Sequence, residues 1–325
     1  MFDFALPSSS ALAAIDLGSN SFRLEVGQVL PDGYRKLHCR KEMVNLGAGL
    51  DAGGRLSREA IDRGLRCVRK FAADLAMLSP GRVRAVATQT LREARNRDDF
   101  LQRAEAMLGL PVELISGHEE GRLIFAGVSF LHPSPRRRLV IDIGGRSTEM
   151  IVGQHRLPRA ISSFPIGSGS LSQQHFPQGR ITAEGFRAAQ HATAATLGPA
   201  LDGFAAGHWD EAMASSGTAG TVSAVLRRSG ITDGTLTPAA LRWLIERCIA
   251  AGHVEQLDLP GLKEKRRAVL PGGLAILYTL LMRCDIAELQ SAKAALRQGV
   301  IVDLHERGIP AAARESRRQP ALVPA

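Results

Sequence analysis

No stretch of this 325-residue chain approaches the ~20 consecutive apolar residues that a membrane-spanning helix needs, so a helical membrane protein is excluded. Cysteine is scarce: Cys39, Cys67, Cys248 and Cys284 lie far apart, with no CxxC pair and no histidine near them at zinc-ligand spacing. That excludes a zinc finger and a disulfide-stapled scaffold, and the thiols are expected to be reduced and mostly buried. The histidines form no HxxxH or HExxH pair, and neither a GxSxG elbow nor a GxxxxGKS/T loop occurs. Zinc-peptidase chemistry, elbow-type serine catalysis and Walker-type nucleotide hydrolysis fall away with them. Aromatic residues are only 5% of the chain, too few for a surface on which single-stranded bases stack, so no specific nucleic-acid partner is expected. The first residues, Met1 to Ala14, lack a basic n-region and a continuous apolar h-region, and the expected location is the cytoplasm.

What the chain has is positive charge on a globular composition. Hydrophobic residues make up 45% and charged residues 22%, the balance of a soluble folded protein, and the length suits two domains. Lysine and arginine number 41 against 32 acidic residues, a formal net charge of +9 that favours a polyanionic partner.

The segment ALAAIDLGSNSFRLEVGQV (11–29) reads as a strand, a tight polar turn and a return strand in which Phe22, Leu24 and Val26 alternate with polar residues. Ser57 is placed to cap a helix whose apolar stripe is Ile61, Leu65, Val68, Ala72 and Leu75. Strands are predicted over 83–88, 112–115 and 211–215, and helices over 98–108, from about Thr182, and after Thr237 with Pro238 at the first position. Two last helices are expected over 272–283 and 287–306. Self-comparison is more informative. At an offset of 126, IDLGSNSFRLEVGQ (15–28) lies over IDIGGRSTEMIVGQ (141–154), and seven of the fourteen positions coincide, among them Asp16/Asp142, Gly18/Gly144 and Ser21/Ser147. Two similarly built domains are implied, expected at 1–120 and 121–309, with a disordered tail at 310–325.

Each copy puts an aspartate at the end of an apolar strand, just before a glycine-containing turn. Glycine lets backbone N–H groups converge on phosphate oxygens, and Ser19, Asn20, Ser147 and Thr148 add side-chain donors. Asp16 and Asp142 make sense beside phosphates when a hard cation such as Mg²⁺ intervenes. A third turn, SSGTAGTVSAV (215–225), follows a predicted strand and opens a helix, which makes Gly217 and Thr218 candidates for phosphate or nucleotide binding. Glu119 and Glu120 stand at a predicted helix start, where one of them is placed to orient a water for attack on phosphorus. Among the arginines, Arg92 at a strand end is the best candidate for a phosphate contact, ahead of Arg23, Arg136 to Arg138 and the KEKRR cluster at 263–267.

The segments DLGSNSFRL (16–24), ATQTLREARN (87–96), LISGHEEGRLIF (114–125), VIDIGGRSTEM (140–150), ASSGTAGTVSAV (214–225) and VLPGG (269–273), in this order, resemble the exopolyphosphatase and guanosine pentaphosphate phosphohydrolase (Ppx/GppA) family. The resemblance implies an α/β fold of two ribonuclease-H-like domains, of the actin, sugar kinase and Hsp70 type, with the active site in an inter-domain cleft. By it Glu120 matches the base that activates water, Asp142 and Glu149 match the acidic Mg²⁺-site residues, and Asp16 belongs to the first phosphate loop. Ser19, Asn20, Gly144, Gly145, Ser147 and Thr148 match phosphate-loop positions, and Arg92 matches the family's arginine in the TxxLR segment.

Two features depart from the pattern. Arg146 stands where the family usually has a glycine, and it either strains a left-handed backbone or adds a cation at the phosphate site; the second is favoured. The chain also stops short of the helical C-terminal region of longer members, which makes it a short form. The activity implied is hydrolysis of the terminal phosphate of inorganic polyphosphate, with Mg²⁺ or Mn²⁺, a possible K⁺ requirement and a homodimer held loosely. The alternatives are hydrolysis of guanosine pentaphosphate, an acceptor-dependent kinase and a non-catalytic polyphosphate-binding protein.

Overall fold

The structure, a computed structural model, describes residues 10–308, so the expected tail at 310–325 lies outside the described residues. The chain divides into two compact units, one running to Leu131 and resuming at Leu296, the other His132–Ala295.

The first unit is built on strands β1 (Leu12–Leu17), β2 (Ser21–Leu30), β3 (Gly33–Met43), β4 (Val83–Ala87) and β5 (Val112–Leu114), in the sheet order β3-β2-β1-β4-β5. β2 runs antiparallel to both β1 and β3, whereas β1, β4 and β5 are parallel. The central strands are near-continuous apolar runs because both of their faces are covered. Helices α1 (Arg58–Leu75), α2 (Gln89–Glu93), α3 (Arg97–Leu108) and α4 (Gly117–Leu131) connect or follow the strands. Ser57 caps α1 as expected, its hydroxyl accepting from the Ala60 N–H at 3.2 Å. The buried stripe of α1 includes Phe71, while Ala72 is only partly covered. Gly64 lets the Phe100 ring close to 2.6 Å of where a Cβ would stand, and Phe100 meets Phe22 edge-on at 6.0 Å.

The second unit repeats the plan. Strands β6 (Arg137–Ile143), β7 (Thr148–Gln154), β8 (Leu157–Phe164), β9 (Glu211–Ser215) and β10 (Gln290–Ser291) are ordered β8-β7-β6-β9-β10 with the same pattern of antiparallel and parallel pairs. Even the irregularity is shared: the β2–β3 register shifts at Val26/Gly27 and the β7–β8 register at Val152/Gly153, positions related by the same offset as the sequence repeat. A 3-2-1-4-5 order with only the second strand reversed is the ribonuclease-H-like arrangement, so the expected α/β fold with two such domains is present. Helices α5 (Ser168–His175), α6 (Ala183–Leu197), α7 (Ser216–Arg228), α8 (Pro238–Ala251) and α9 (Leu270–Arg283) complete the unit. Thr182 and Thr237 cap α6 and α8, accepting from Gly185 and Ala240 N–H groups at 3.0 and 3.2 Å.

Three expectations are corrected. The boundary at 120/121 falls inside α4, which belongs wholly to the first unit. The last helix, α10 (Leu296–Arg307), also returns to the first unit, packing on α4, β1 and β2; Gly299 makes this possible, because a Cβ there would collide with the Leu123 carbonyl. The region 287–306 is therefore not one helix: it begins as β10, which pairs in parallel with β9 at Met213 and Ala214, before α10 starts.

Cys67, Cys248 and Cys284 are buried free thiols, pushed by burial up to about 12, 12 and 11, so they are protonated and inert; Cys39 is exposed. Among the described residues no helix is long and apolar enough to cross a membrane.

Candidate active site

On the first unit the chemistry gathers along one edge of the sheet. The β1–β2 turn comes first. A Cβ on Gly18 would stand 3.1 Å from the Ser21 carbonyl and 3.3 Å from the Asp16 carboxylate, which fixes glycine there. The carbonyls of Ser19 and Asn20 accept from the N–H groups of Gly47 and Asn45, both at 2.9 Å. In a trans peptide the next N–H points the opposite way, so the amides of Asn20 and Ser21 are turned away from that segment. The expected phosphate loop is thus held from behind.

Asp16 pairs in register with Arg23 on β2, and Arg23 pairs with Lys41 on β3, so the three side chains share one face of the sheet in a row. A fourth charge comes from α10: the Arg297 guanidinium lies 3.7 Å from the Asp16 carboxylate and 3.3 Å from Glu25. Glu25 is 1% exposed and also accepts from Gln298 at 2.7 Å and from the Tyr34 hydroxyl at 2.6 Å. Burial pushes the Asp16 carboxyl up, and Arg297, Arg23 and Lys41 pull it back. Asp16, expected from the sequence beside a hard cation, thus stands among three cationic side chains.

Further along the edge, the Thr88 N–H bonds the Leu17 carbonyl at 3.4 Å and the Ile115 N–H bonds the Ala87 carbonyl at 3.2 Å. These joints place the start of α2 beside the end of β1 and the segment before α4 beside the end of β4. From α2, Arg92 Nη1 donates to Glu120 Oε2 at 2.9 Å and to the Ile115 carbonyl at 2.8 Å, while its Nε and Nη2 hold Gln89 Oε1. Glu120 is 7% exposed and Arg92 is its direct partner. The neighbouring Glu119 is engaged elsewhere: Arg122 donates to both its oxygens at 2.7 and 2.8 Å, and Arg84 lies 3.5 Å away. Those arginines also hold Asp303 of α10, each at 2.8 Å. Arg122 keeps the Glu119 carboxyl below the usual range despite partial burial. Glu119 is thus held by two arginines, whereas Glu120, the residue the resemblance points to, is held by Arg92.

The second unit carries the other half of the expected residues. Asp142 on β6 pairs with Glu149 on β7, and Glu149 pairs with Ser163 on β8, whose hydroxyl donates to Glu149 Oε1 at 2.8 Å. Asp142 and Glu149 are 8% and 1% exposed. Among the described residues there is no cluster of three or more His, Cys, Asp or Glu side chains that could hold a metal. Two hard carboxylates side by side nevertheless fit Mg²⁺, which commonly takes one or two carboxylates and completes its shell with water and substrate phosphate.

The β6–β7 turn is clamped like its counterpart. The Gly144 N–H bonds the Ser147 carbonyl at 2.9 Å; the Gly144 carbonyl accepts from Ser168, and the Gly145 carbonyl from Gly169 and Ser170, at 2.9 to 3.0 Å. These donors open α5, so the amides of Gly145 and Arg146 point away from that helix. Gly167 is essential to the clamp, since a Cβ there would strike the Arg146 nitrogen. Arg146 itself lies outside the left-handed region, so its replacement of a glycine costs no strain of that kind. The hydroxyls of two expected phosphate ligands are spent internally: Thr148 donates to the Ile166 carbonyl at 2.7 Å and Thr218 to the Ile143 carbonyl at 3.1 Å. Thr218 thereby ties the third glycine-rich turn to the second, across Ser216, whose φ of 83° is strained for a side-chain-bearing residue.

VLPGG proves to be a packing device. A Cβ on Gly272 would stand 2.5 Å from the Ser168 carbonyl, and one on Gly273 2.5 Å from Thr218, so α9 draws the starts of α5 and α7 together. In the basic cluster, Arg266 is buried and donates to Thr221 at 3.2 Å, and Arg267 holds the Glu255 carbonyl at 3.0 Å. Arg138, a lesser candidate for a phosphate contact in the sequence, is buried against Glu211 at 2.7 Å. Lys41 and Arg297 were not singled out in the sequence; only strand register and the return of α10 bring them to Asp16.

Residues 27–307 match the family model described as the Ppx/GppA phosphatase family. The Ppx/GppA family member of Aquifex aeolicus is 25% identical, with a TM-score of 0.77 over 93% of this chain and 99% of that one. An exopolyphosphatase from Cytophaga hutchinsonii shares the fold at 23% identity, with a TM-score of 0.81 over 91% of this chain and 98% of that one. An exopolyphosphatase-like protein shares it at 24% identity and a TM-score of 0.82, over 93% and 99% of the two chains. With the duplicated turn, the TQTLR and SGHEE segments and VLPGG all serving the same two sheet edges, and with most of its length matched, the chain belongs to the Ppx/GppA phosphatase family.

Proposed function

We propose that this protein is an exopolyphosphatase, which hydrolyses the terminal phosphoanhydride of linear inorganic polyphosphate. The observation that carries the reading is the Arg92–Glu120 pair: a buried carboxylate fixed at 2.9 Å by a guanidinium, at the start of a helix. Arg92 sets the orientation of the carboxylate, and Glu120 takes a proton from the attacking water. The water oxygen bonds to the terminal phosphorus, the bridging P–O bond breaks, and the shortened chain leaves with the bridging oxygen. The amides of Asn20, Ser21, Gly145 and Arg146, aimed away from their supporting segments, donate to phosphate oxygens, and the Arg146 side chain adds positive charge at its turn. Asp142 and Glu149 are the residues that would hold Mg²⁺, which supplies charge neutralisation to the phosphate oxygens when bound.

The test is phosphate release with Mg²⁺ from long-chain polyphosphate, tripolyphosphate and guanosine pentaphosphate. Release from long-chain polyphosphate is expected. Release confined to the guanosine nucleotide, or none from any of the three, would overturn the reading.

A further inference from the structure

Across the first sheet the strands stand in the order β3-β2-β1-β4-β5, and four residues mark one edge of it: Lys41 near the end of β3, Arg23 near the start of β2, Asp16 near the end of β1, and Glu120 just after β5. At about 4.8 Å per strand, Lys41 lies roughly 10 Å from Asp16 on one side, and β5 lies a similar distance away on the other. The neighbours of Lys41 on β3 face the opposite side, where Arg40 pairs with Asp74 and Glu42 with Lys70, both partners on α1. Lys41 instead shares its face with Asp16 and Arg23, and its charge is felt at Asp16. In the second unit the strand position paired with Glu149, the counterpart of Arg23, is Ser163.

Resting on the exopolyphosphatase reading, we propose that Lys41 is a specificity-determining residue: it binds a phosphate of the chain several units away from the one being cleaved, and so favours long polyphosphate over short. A terminal phosphate served by Glu120 leaves the rest of a linear polyanion to run along the sheet edge, and only a long chain reaches the cation at the far end.

The experiment compares kcat/KM on long-chain polyphosphate and on tripolyphosphate for the wild type, Lys41→Ala, Lys41→Arg and an Arg35→Ala/Lys36→Ala control at the exposed far end of β3. Lys41→Ala is expected to lower the long-to-short ratio about tenfold, through KM, and to reduce the slope of log KM against log salt for long chains by on the order of one. Lys41→Arg is expected to restore the ratio, and the control to match the wild type. An unchanged ratio in Lys41→Ala, whether both substrates suffer equally or neither does, overturns the proposal. Equilibrium binding of long chains and tripolyphosphate to the same proteins separates this from failure of the parent reading. If the wild type binds polyphosphate but releases no phosphate, selective loss of long-chain affinity in Lys41→Ala sustains the subsite, and unchanged affinity overturns it.

Discussion

In the first unit the turn aspartate, Asp16, is flanked across the strands by Arg23 and Lys41, with Arg297 beneath; in the second, Asp142 is flanked by Glu149 and Ser163. The two backbones agree in strand order, strand direction and even the position of a bulge. The comparison teaches that the fold supplies a clamped turn and a row of side chains at fixed spacing, and that the residues in the row decide the sign of what binds. Two carboxylates at the cross-strand distance of about 5 Å repel by roughly 3 kcal/mol at an effective dielectric of about 20, a cost that a divalent cation turns into a gain. One carboxylate among three cations leaves net positive charge and has the opposite preference.

The sharpest break of the comparison is Glu149→Gln, which removes half of the carboxylate pair. Mg²⁺ affinity by calorimetry is expected to fall on the order of a hundredfold or more, with turnover following, whereas Asp16→Asn should leave Mg²⁺ affinity close to the wild type. Next in size is Arg297→Met, expected to cost about 3–5 kcal/mol in denaturant unfolding because Glu25 remains buried without its guanidinium. Adding Glu25→Ile, the residue that stands at position 151 in the second copy, should recover most of that loss. Gly167→Ala pushes α5 against the second turn, and kcat/KM should fall by about 10²-fold with the fold intact by circular dichroism.

The smallest effect concerns pH. Arg122 holds Glu119 below its usual value of 4.5, so the stabilisation is fully present above pH 4.5 and is lost as pH falls through the lowered value. Glu119→Gln should therefore cost about 1 kcal/mol at neutral pH and show a shallower loss of stability in acid, read from melting temperature against pH.

Much of this was legible in the sequence because it is local. Ser57, Thr182 and Thr237 cap the helices they precede, β9 spans the expected residues, and the repeat predicted two similar units. What was hidden depends on partners distant in the chain. The engagement of Glu119 by Arg122, an arginine shared with Asp303 of the last helix, is one such feature. The unit boundary was misplaced because a helix crossing back through Gly299 leaves no local signature, and β10, two residues long, is too short for any periodicity. Lys41 and Arg297 needed strand register and the position of α10 before their place beside Asp16 became visible.

The central claim is that Glu120, oriented by Arg92, activates water for attack on a phosphoanhydride. The direct test is to measure phosphate release and polyphosphate binding for Glu120→Gln and Glu119→Gln side by side. The account predicts that Glu120→Gln keeps polyphosphate affinity within about twofold and loses about 10²- to 10⁴-fold in turnover, while Glu119→Gln retains most of its turnover. Full turnover in Glu120→Gln would contradict it.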